Sequence, residues 1–118
     1  MKFLHLLCFP LFLTACQKLP PVEPAASPAA SEGQDFARAS CGGCHAIGRS
    51  GTSSLSNAPP FHVIVNQEGV TAETLSFWLR GAHNYPREMD FYLHPPEVEK
   101  LVAYMLTLRD PNYRRPPD

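Results

Sequence analysis

The chain has 118 residues, which suits one small domain, and its ten Lys and Arg nearly balance its eleven Asp and Glu. No basic run is present, which argues against a nucleic-acid partner. Thirteen prolines cluster near both ends and at 59–60 and 95–96. This distribution favours a small folded unit on a tether over a uniformly disordered chain.

Residues 1–15 have the pattern of an export signal. Lys2 gives a short positive start, and residues 3–13 form an apolar stretch that is too short to cross a bilayer. Residues 13–16 read Leu-Thr-Ala-Cys, which resembles the bacterial lipobox, and the A-x-A-like site of plain export is missing. We predict cleavage before Cys16 and acylation of Cys16 by several chains, which anchor durably. An ordinary signal peptide with an incidental Cys16 is the alternative.

Residues 16–31 comprise the predicted lipidated Cys16 and a Pro/Ala/Ser-rich stretch, which predicts an extended linker between membrane and domain. Gln17 follows the cysteine, where an Asp would resemble the inner-membrane retention signal of Gram-negative lipoproteins. The sequence therefore predicts a periplasm-facing protein on the outer membrane of a Gram-negative bacterium, with the inner membrane as second choice. A proline-motif ligand for a partner is the other interpretation of the stretch.

The most specific motif is Cys41-Gly42-Gly43-Cys44-His45. Two thiols three residues apart, followed directly by a histidine, are the attachment signature for c-type haem: Cys41 and Cys44 form thioethers and His45 ligates the iron. Half a zinc site would need further Cys or His ligands at similar spacing, and none follow. A thioredoxin-like pair would need a surrounding βαβ pattern, which is missing. We predict one covalent haem c.

Further matches extend along the chain in a fixed order. They comprise Gly33 and Phe36 before the motif, residues 46–49 (AIGR) after it, residues 58–61 (APPF), Leu75 with residues 78–80 (WLR), and residues 101–105 (LVAYM). Together they resemble the small class I cytochromes c of proteobacteria, over about residues 32–110. The resemblance implies an all-α fold of three to four helices around one haem, with the first and last helices crossing.

The resemblance also implies contacts around the haem. A proline carbonyl, that of Pro59 or Pro60, would accept a hydrogen bond from the ring of His45, which fixes the ring and raises its basicity. The Trp78 indole, or Arg80, would reach a haem propionate. The alternatives are a rigid turn at the prolines, a core tryptophan and a solvated arginine. The apolar residues Phe61, Val63 and Ile64 are expected to line the pocket.

Capping residues and apolar spacing predict three helices. The first is capped by Ser31 or Asp35 and runs to about Cys41. The second is capped by Thr71 and ends in a left-handed conformation at Gly81. Its apolar face comprises Leu75, Trp78 and Leu79. The last helix starts at His94-Pro95-Pro96-Glu97, and its apolar stripe comprises Val98, Leu101, Met105 and Leu108.

A methionine thioether would complete an iron site suited to electron transfer. Met1 leaves with the leader, and Met105 lies on the apolar stripe of the last helix and is predicted to be core. Met89 is therefore the predicted second axial ligand. The commoner family pattern puts this Met three residues after a His and directly before a Pro, whereas Met89 lies six residues after His83 and precedes Asp90. We therefore expect a longer loop here.

These patterns predict a membrane-anchored periplasmic carrier of single electrons, acting on redox partner proteins as a monomer or as a subunit of a redox complex. Filled axial positions argue against an enzyme. The alternatives are a haem sensor or enzyme with an open or labile distal position, and an obligate subunit of a larger dehydrogenase or oxidase. Residues 111–118 are predicted to be a mobile tail. Because about 80 residues make a thin core, we expect the haem-free chain to fold poorly.

Overall fold

The computed structural model of the chain describes residues 26–81 and 87–115. The predicted signal peptide, Cys16 and His83 lie outside these residues. The described part holds four α-helices and no strand: α1 Pro28–Ser40, α2 Phe61–Val65, α3 Ala72–Gly81 and α4 Pro95–Leu106, with a 3₁₀ turn at Arg87–Met89. The predicted all-α fold is confirmed. Within the same ranges, no helix has the length and apolar character needed to span a bilayer.

Helix α1 begins earlier than predicted. Ser27 is its N-cap and accepts a hydrogen bond from the Ala30 amide at 3.2 Å, and Pro28 occupies the first helical position. Proline suits that position because its missing N–H would lack a partner there anyway. The prediction of Ser31 or Asp35 as the cap is wrong, and residues 28–31 of the predicted linker are helical. The composition that indicates a linker also carries a helix start signal.

The fold centres on the crossing of α1 and α4 at Gly33. A Cβ atom built on Gly33 would lie 1.9 Å from the Lys100 carbonyl oxygen and 2.9 Å from the Tyr104 Cβ. Only glycine allows so close an approach of two helix backbones. Glu32 adds an exposed ion pair across the crossing, with 2.6 Å between its carboxylate and the Lys100 ammonium. The predicted apolar stripe is confirmed as buried: Val98, Leu101 and Met105 lie on α4, and Leu108 lies two residues beyond its end.

Helix α3 starts as predicted and ends differently. The Thr71 hydroxyl accepts a hydrogen bond from the Thr74 amide at 3.1 Å, as a cap should. Leu75 and Leu79 are buried on its inner face, whereas Trp78 is 40% exposed. Gly81 is the last helical residue and has no positive φ, so the predicted left-handed cap is wrong. Glycine permits that conformation but does not require it.

The short helix α2 is fastened to the end of α4 by Asn66. The Asn66 amide donates to the carbonyls of His62 and Leu108, at 2.7 and 3.3 Å, and its oxygen accepts from the Asp110 amide at 2.9 Å. One side chain thereby binds a carbonyl of α2 and two backbone groups of the turn that follows α4. This contact fixes α2 against α4 and so places the residues that precede α2, including both candidate prolines.

Candidate haem site

A cleft opens between the CGGCH segment, the helices α2, α3 and α4, and the turn that carries Met89. It has about 500 Å³ of unfilled space, counting the part open to solvent, within the range of cofactor sites. Five of the predicted site residues line it together: Cys41, Cys44, His45, Trp78 and Met89. The rest of the lining is largely apolar and comprises Ser40, Phe61, Ile64, Leu79, Phe91, Leu101 and Met105.

The CGGCH segment folds as a tight turn directly after α1. The amides of Cys44 and His45 both donate to the Cys41 carbonyl, at 3.1 and 2.9 Å. A Cβ atom on Gly42 would lie 2.9 Å from the Arg38 carbonyl oxygen, so the turn needs a glycine there. This local fold brings the two thiols and the imidazole to the same cleft. Neither thiol forms a disulfide.

The ring of His45 is oriented by Pro59. Its Nδ1 lies 2.8 Å from the Pro59 carbonyl oxygen, and because a carbonyl only accepts, Nδ1 carries the proton. The Pro60 carbonyl instead accepts the amides of Val63 and Ile64, at 3.0 and 3.1 Å, in the first turn of α2. Of the two candidate prolines, Pro59 is therefore the one whose carbonyl accepts the hydrogen bond from the His45 ring. With Nδ1 occupied, the other ring nitrogen remains as a metal ligand of raised basicity.

The two cysteines differ in environment. Cys41 is 9% exposed, whereas Cys44 is half-buried. Burial, with a smaller contribution from the neighbouring Cys44, raises the pKa of the Cys41 thiol to about 11. Removal from water disfavours the charged thiolate. The Cys41 thiol of the folded chain therefore loses its proton at a higher pH than an exposed thiol does.

Two methionines line the cleft. Met89 ends the 3₁₀ turn and is half-buried, and its carbonyl accepts the Phe91 amide at 2.9 Å. Met105 is fully buried in α4, as its predicted core position requires, and it also forms part of the cleft wall. The place of Met105 in the cleft wall was not predicted. The signal for it was available, because Met105 lies one turn after Leu101 on the same apolar stripe.

The remaining predicted residues divide into two groups. Phe61 and Ile64 line the cleft, and the Phe61 ring lies 5.5 Å from the His45 ring. Arg80 is exposed, and neither it nor Val63 belongs to the cleft lining. Phe91, which sequence reasoning did not single out, lines the cleft two residues after Met89 while remaining 39% exposed.

A helical domain with two thiols and an oriented imidazole in one apolar cleft defines a small haem protein of the c type, and the residues present fit the haem. A family model described as "Cytochrome c" matches residues 30–109, more than half of the chain. The chain belongs to the cytochrome c family. No curated protein and no solved structure shows significant similarity to it. Membership implies covalent haem c, with Cys41 and Cys44 positioned as in its attachment motif.

The family also bears on the other interpretations of the paired cysteines. Across residues 26–81 and 87–115, no group of three or more His, Cys, Asp or Glu side chains is arranged to hold a metal ion. The same ranges contain no strand from which a βαβ unit could be built. With the family established, the protein is a haem-containing electron-transfer protein whose partners are redox proteins.

Proposed function

We propose that the protein is a membrane-anchored periplasmic cytochrome c that carries single electrons between redox partners, with His45 and Met89 as axial ligands. The observation that carries the proposal is the cleft itself, which brings an oriented imidazole and a loop thioether to one apolar space. The haem supplies the one-electron oxidation and reduction. The chain's residues hold it, orient its ligands and exclude water.

The proximal role of His45 is supported by its hydrogen bond to Pro59 at 2.8 Å. This bond fixes the tautomer, so the ring nitrogen that remains has a free lone pair. His45 also directly follows Cys44, and a thioether from Cys44 would keep the haem close to the histidine. Both Cys41 and Cys44 line the same cleft as the imidazole.

The distal role is assigned to Met89 over Met105. Met105 is fully buried within α4, with the core on one side and the cleft on the other, so core packing holds its side chain. Met89 lies on a three-residue turn in the segment between α3 and α4, where cytochromes of this type supply their thioether. With both axial positions filled by the chain, no position is left for a substrate, which supports a carrier over an enzyme.

The test is the optical spectrum of the oxidised mature holoprotein, compared with Met89→Ala and with the matched control Met105→Leu. We expect a far-red sulfur–iron charge-transfer band in the wild type and in Met105→Leu, and its loss in Met89→Ala together with a lower reduction potential. A band that survives Met89→Ala and disappears in Met105→Leu would reassign the ligand. No band in the wild type, with ready CO binding by the reduced form, would favour a sensor or enzyme.

The anchor is supported by the sequence around Cys16. The test is incorporation of a labelled fatty acid in cells, comparing Cys16→Ser with Cys8→Ser, since Cys8 lies inside the predicted leader. We expect label and membrane association in the wild type and in Cys8→Ser, and neither in Cys16→Ser. Separation of the two membranes would then locate the protein. An unlabelled wild type in the soluble periplasmic fraction would show that the signal peptide is an ordinary one.

A further inference from the structure

The segment that follows His45, residues 46–48, is held by hydrogen bonds to three successive carbonyls. In order, these accept from the Phe61 amide at 2.9 Å, from the Tyr104 hydroxyl at 2.9 Å and from the His62 Nδ1 at 3.2 Å. Phe61 and His62 belong to α2, and Tyr104 belongs to α4. The chain leaving the proposed iron ligand is therefore fastened to two helices at once.

Tyr104 differs from the other two donors in what it connects. It lies 57 positions from its acceptor Ile47, and it is only 5% exposed. Its Cβ lies beside Gly33, where α1 and α4 cross. The hydroxyl therefore links the most closely packed point of the fold to the residue two positions beyond His45. The bond is part-buried, and a part-buried carbonyl that loses its donor costs stability.

We propose that Tyr104 is a positioning residue for His45. Its hydroxyl, acting through the Ile47 carbonyl, fixes the backbone that carries the imidazole, while Pro59 fixes the ring itself. Two independent restraints then define the plane and the approach of the axial ligand, and the redox potential depends on both. The inference rests on the proposed function in one respect, namely that His45 is an axial ligand.

A matched control lies three residues further along, at Thr107, the C-cap of the same helix. The Thr107 hydroxyl donates to the Tyr104 carbonyl at 2.7 Å and is partly buried. Its removal by Thr107→Val costs the end of α4 a side-chain hydrogen bond and leaves the three hydrogen bonds to residues 46–48 in place. Tyr104→Phe keeps the ring that packs at the helix crossing and removes only the hydroxyl. The two variants therefore separate a general loss of stability from a loss of positioning.

The experiment uses the holoprotein and three readouts: the denaturant midpoint, the reduction potential, and the hyperfine-shifted NMR signals of the His45 ring in the oxidised form. We expect both variants to unfold at lower denaturant concentration. Only Tyr104→Phe is expected to shift the His45 signals and the potential. If it leaves both unchanged within replicate error, as Thr107→Val does, Tyr104 is a structural residue only and the proposal is wrong.

A second variant keeps the test decisive if Tyr104→Phe does not accumulate as holoprotein. Site-specific replacement of Tyr104 by 3-fluorotyrosine retains the hydroxyl and makes it a stronger donor. It should shift the His45 signals in the opposite direction to Tyr104→Phe, and unchanged signals would overturn the proposal. Wild-type protein without hyperfine-shifted histidine signals would instead contradict the ligation by His45, so the two failures can be told apart.

Discussion

The two sides of the cleft are built differently. The histidine side, residues 41–61 with α1, α2 and α4, is fixed by hydrogen bonds between distant parts of the chain, among them Tyr104 with Ile47 and Asn66 with Leu108, at 2.9 and 3.3 Å. The methionine side, which comprises α3 and residues 87–93, has aromatic side chains that are exposed to solvent. Trp78 and Phe91 are about 40% exposed, and Tyr92 is 73% exposed.

This difference shows which side of the folded chain leaves apolar surface for the cofactor to cover. On the histidine side the protein's own groups satisfy one another, so the first ligand is placed by the fold. On the methionine side Trp78 and Phe91 line the cleft while remaining partly exposed, so a haem in the cleft would cover apolar surface that the chain leaves open.

The largest effect is expected from Gly33→Ala, which would disrupt the crossing of α1 and α4 that supports the histidine side. The new Cβ would lie 1.9 Å from the Lys100 carbonyl oxygen, and backbone on both sides cannot move away as a side chain can. We expect destabilisation of at least about 3 kcal/mol, at or beyond the upper end for overpacking, measured by denaturant unfolding of the holoprotein.

Gly81→Ala is the matched control for that substitution. Gly81 is also helical, and a Cβ atom there meets nothing within 4 Å. Alanine should leave stability unchanged or raise it by about 0.5 kcal/mol, because glycine is the poorer helix former. If Gly33→Ala changed stability as little as Gly81→Ala does, the two helix backbones would not approach closely at Gly33 and the prediction would be wrong.

Features that depend on local sequence pattern were predicted, whereas features that depend on tertiary contacts were not. The Thr71 cap and the stripe of α4 follow from capping chemistry and from 3.6-residue spacing, and both were confirmed. The choice of Pro59 over Pro60 could not be made locally, because it depends on α2 using the Pro60 carbonyl for its own first turn. The start of α1 was missed for another reason: a Pro-rich composition outweighed the Ser27-Pro28 start signal.

The second prediction concerns the methionine side and compares neighbours on α3. Leu79 is 3% exposed and belongs to both core and cleft wall, whereas Phe77 is 83% exposed. We expect Leu79→Ala to cost about 2–5 kcal/mol and Phe77→Ala to stay within about 0.5 kcal/mol. Denaturant unfolding of the holoproteins measures both. A small loss for Leu79→Ala would mean that α3 contributes little to the fold and that the haem alone closes this side.

The smallest effect concerns the pKa of Cys41 and asks whether the histidine side forms without haem. In the folded chain that pKa is raised from 9.0 to about 11, because burial disfavours the thiolate. The neutral thiol then stabilises the fold below pH 9. This contribution is lost as the pH rises towards 11, since the unfolded chain releases its proton first. The pH dependence of alkylation at Cys41 in haem-free protein, resolved by mass spectrometry, therefore reports whether the surrounding core is closed.

We expect an apparent pKa near 9 for Cys41 in the haem-free protein, the value of an exposed thiol. The reason is that Leu101 and Met105, both fully buried, serve the core on one side and the cleft on the other. Without haem, these two side chains have no packing partner in the cleft. A core of this size has only a small free energy of unfolding, so the loss of such packing is enough to open it. A value near 11 would contradict this expectation and would show that the α1–α4 crossing holds the histidine side together by itself.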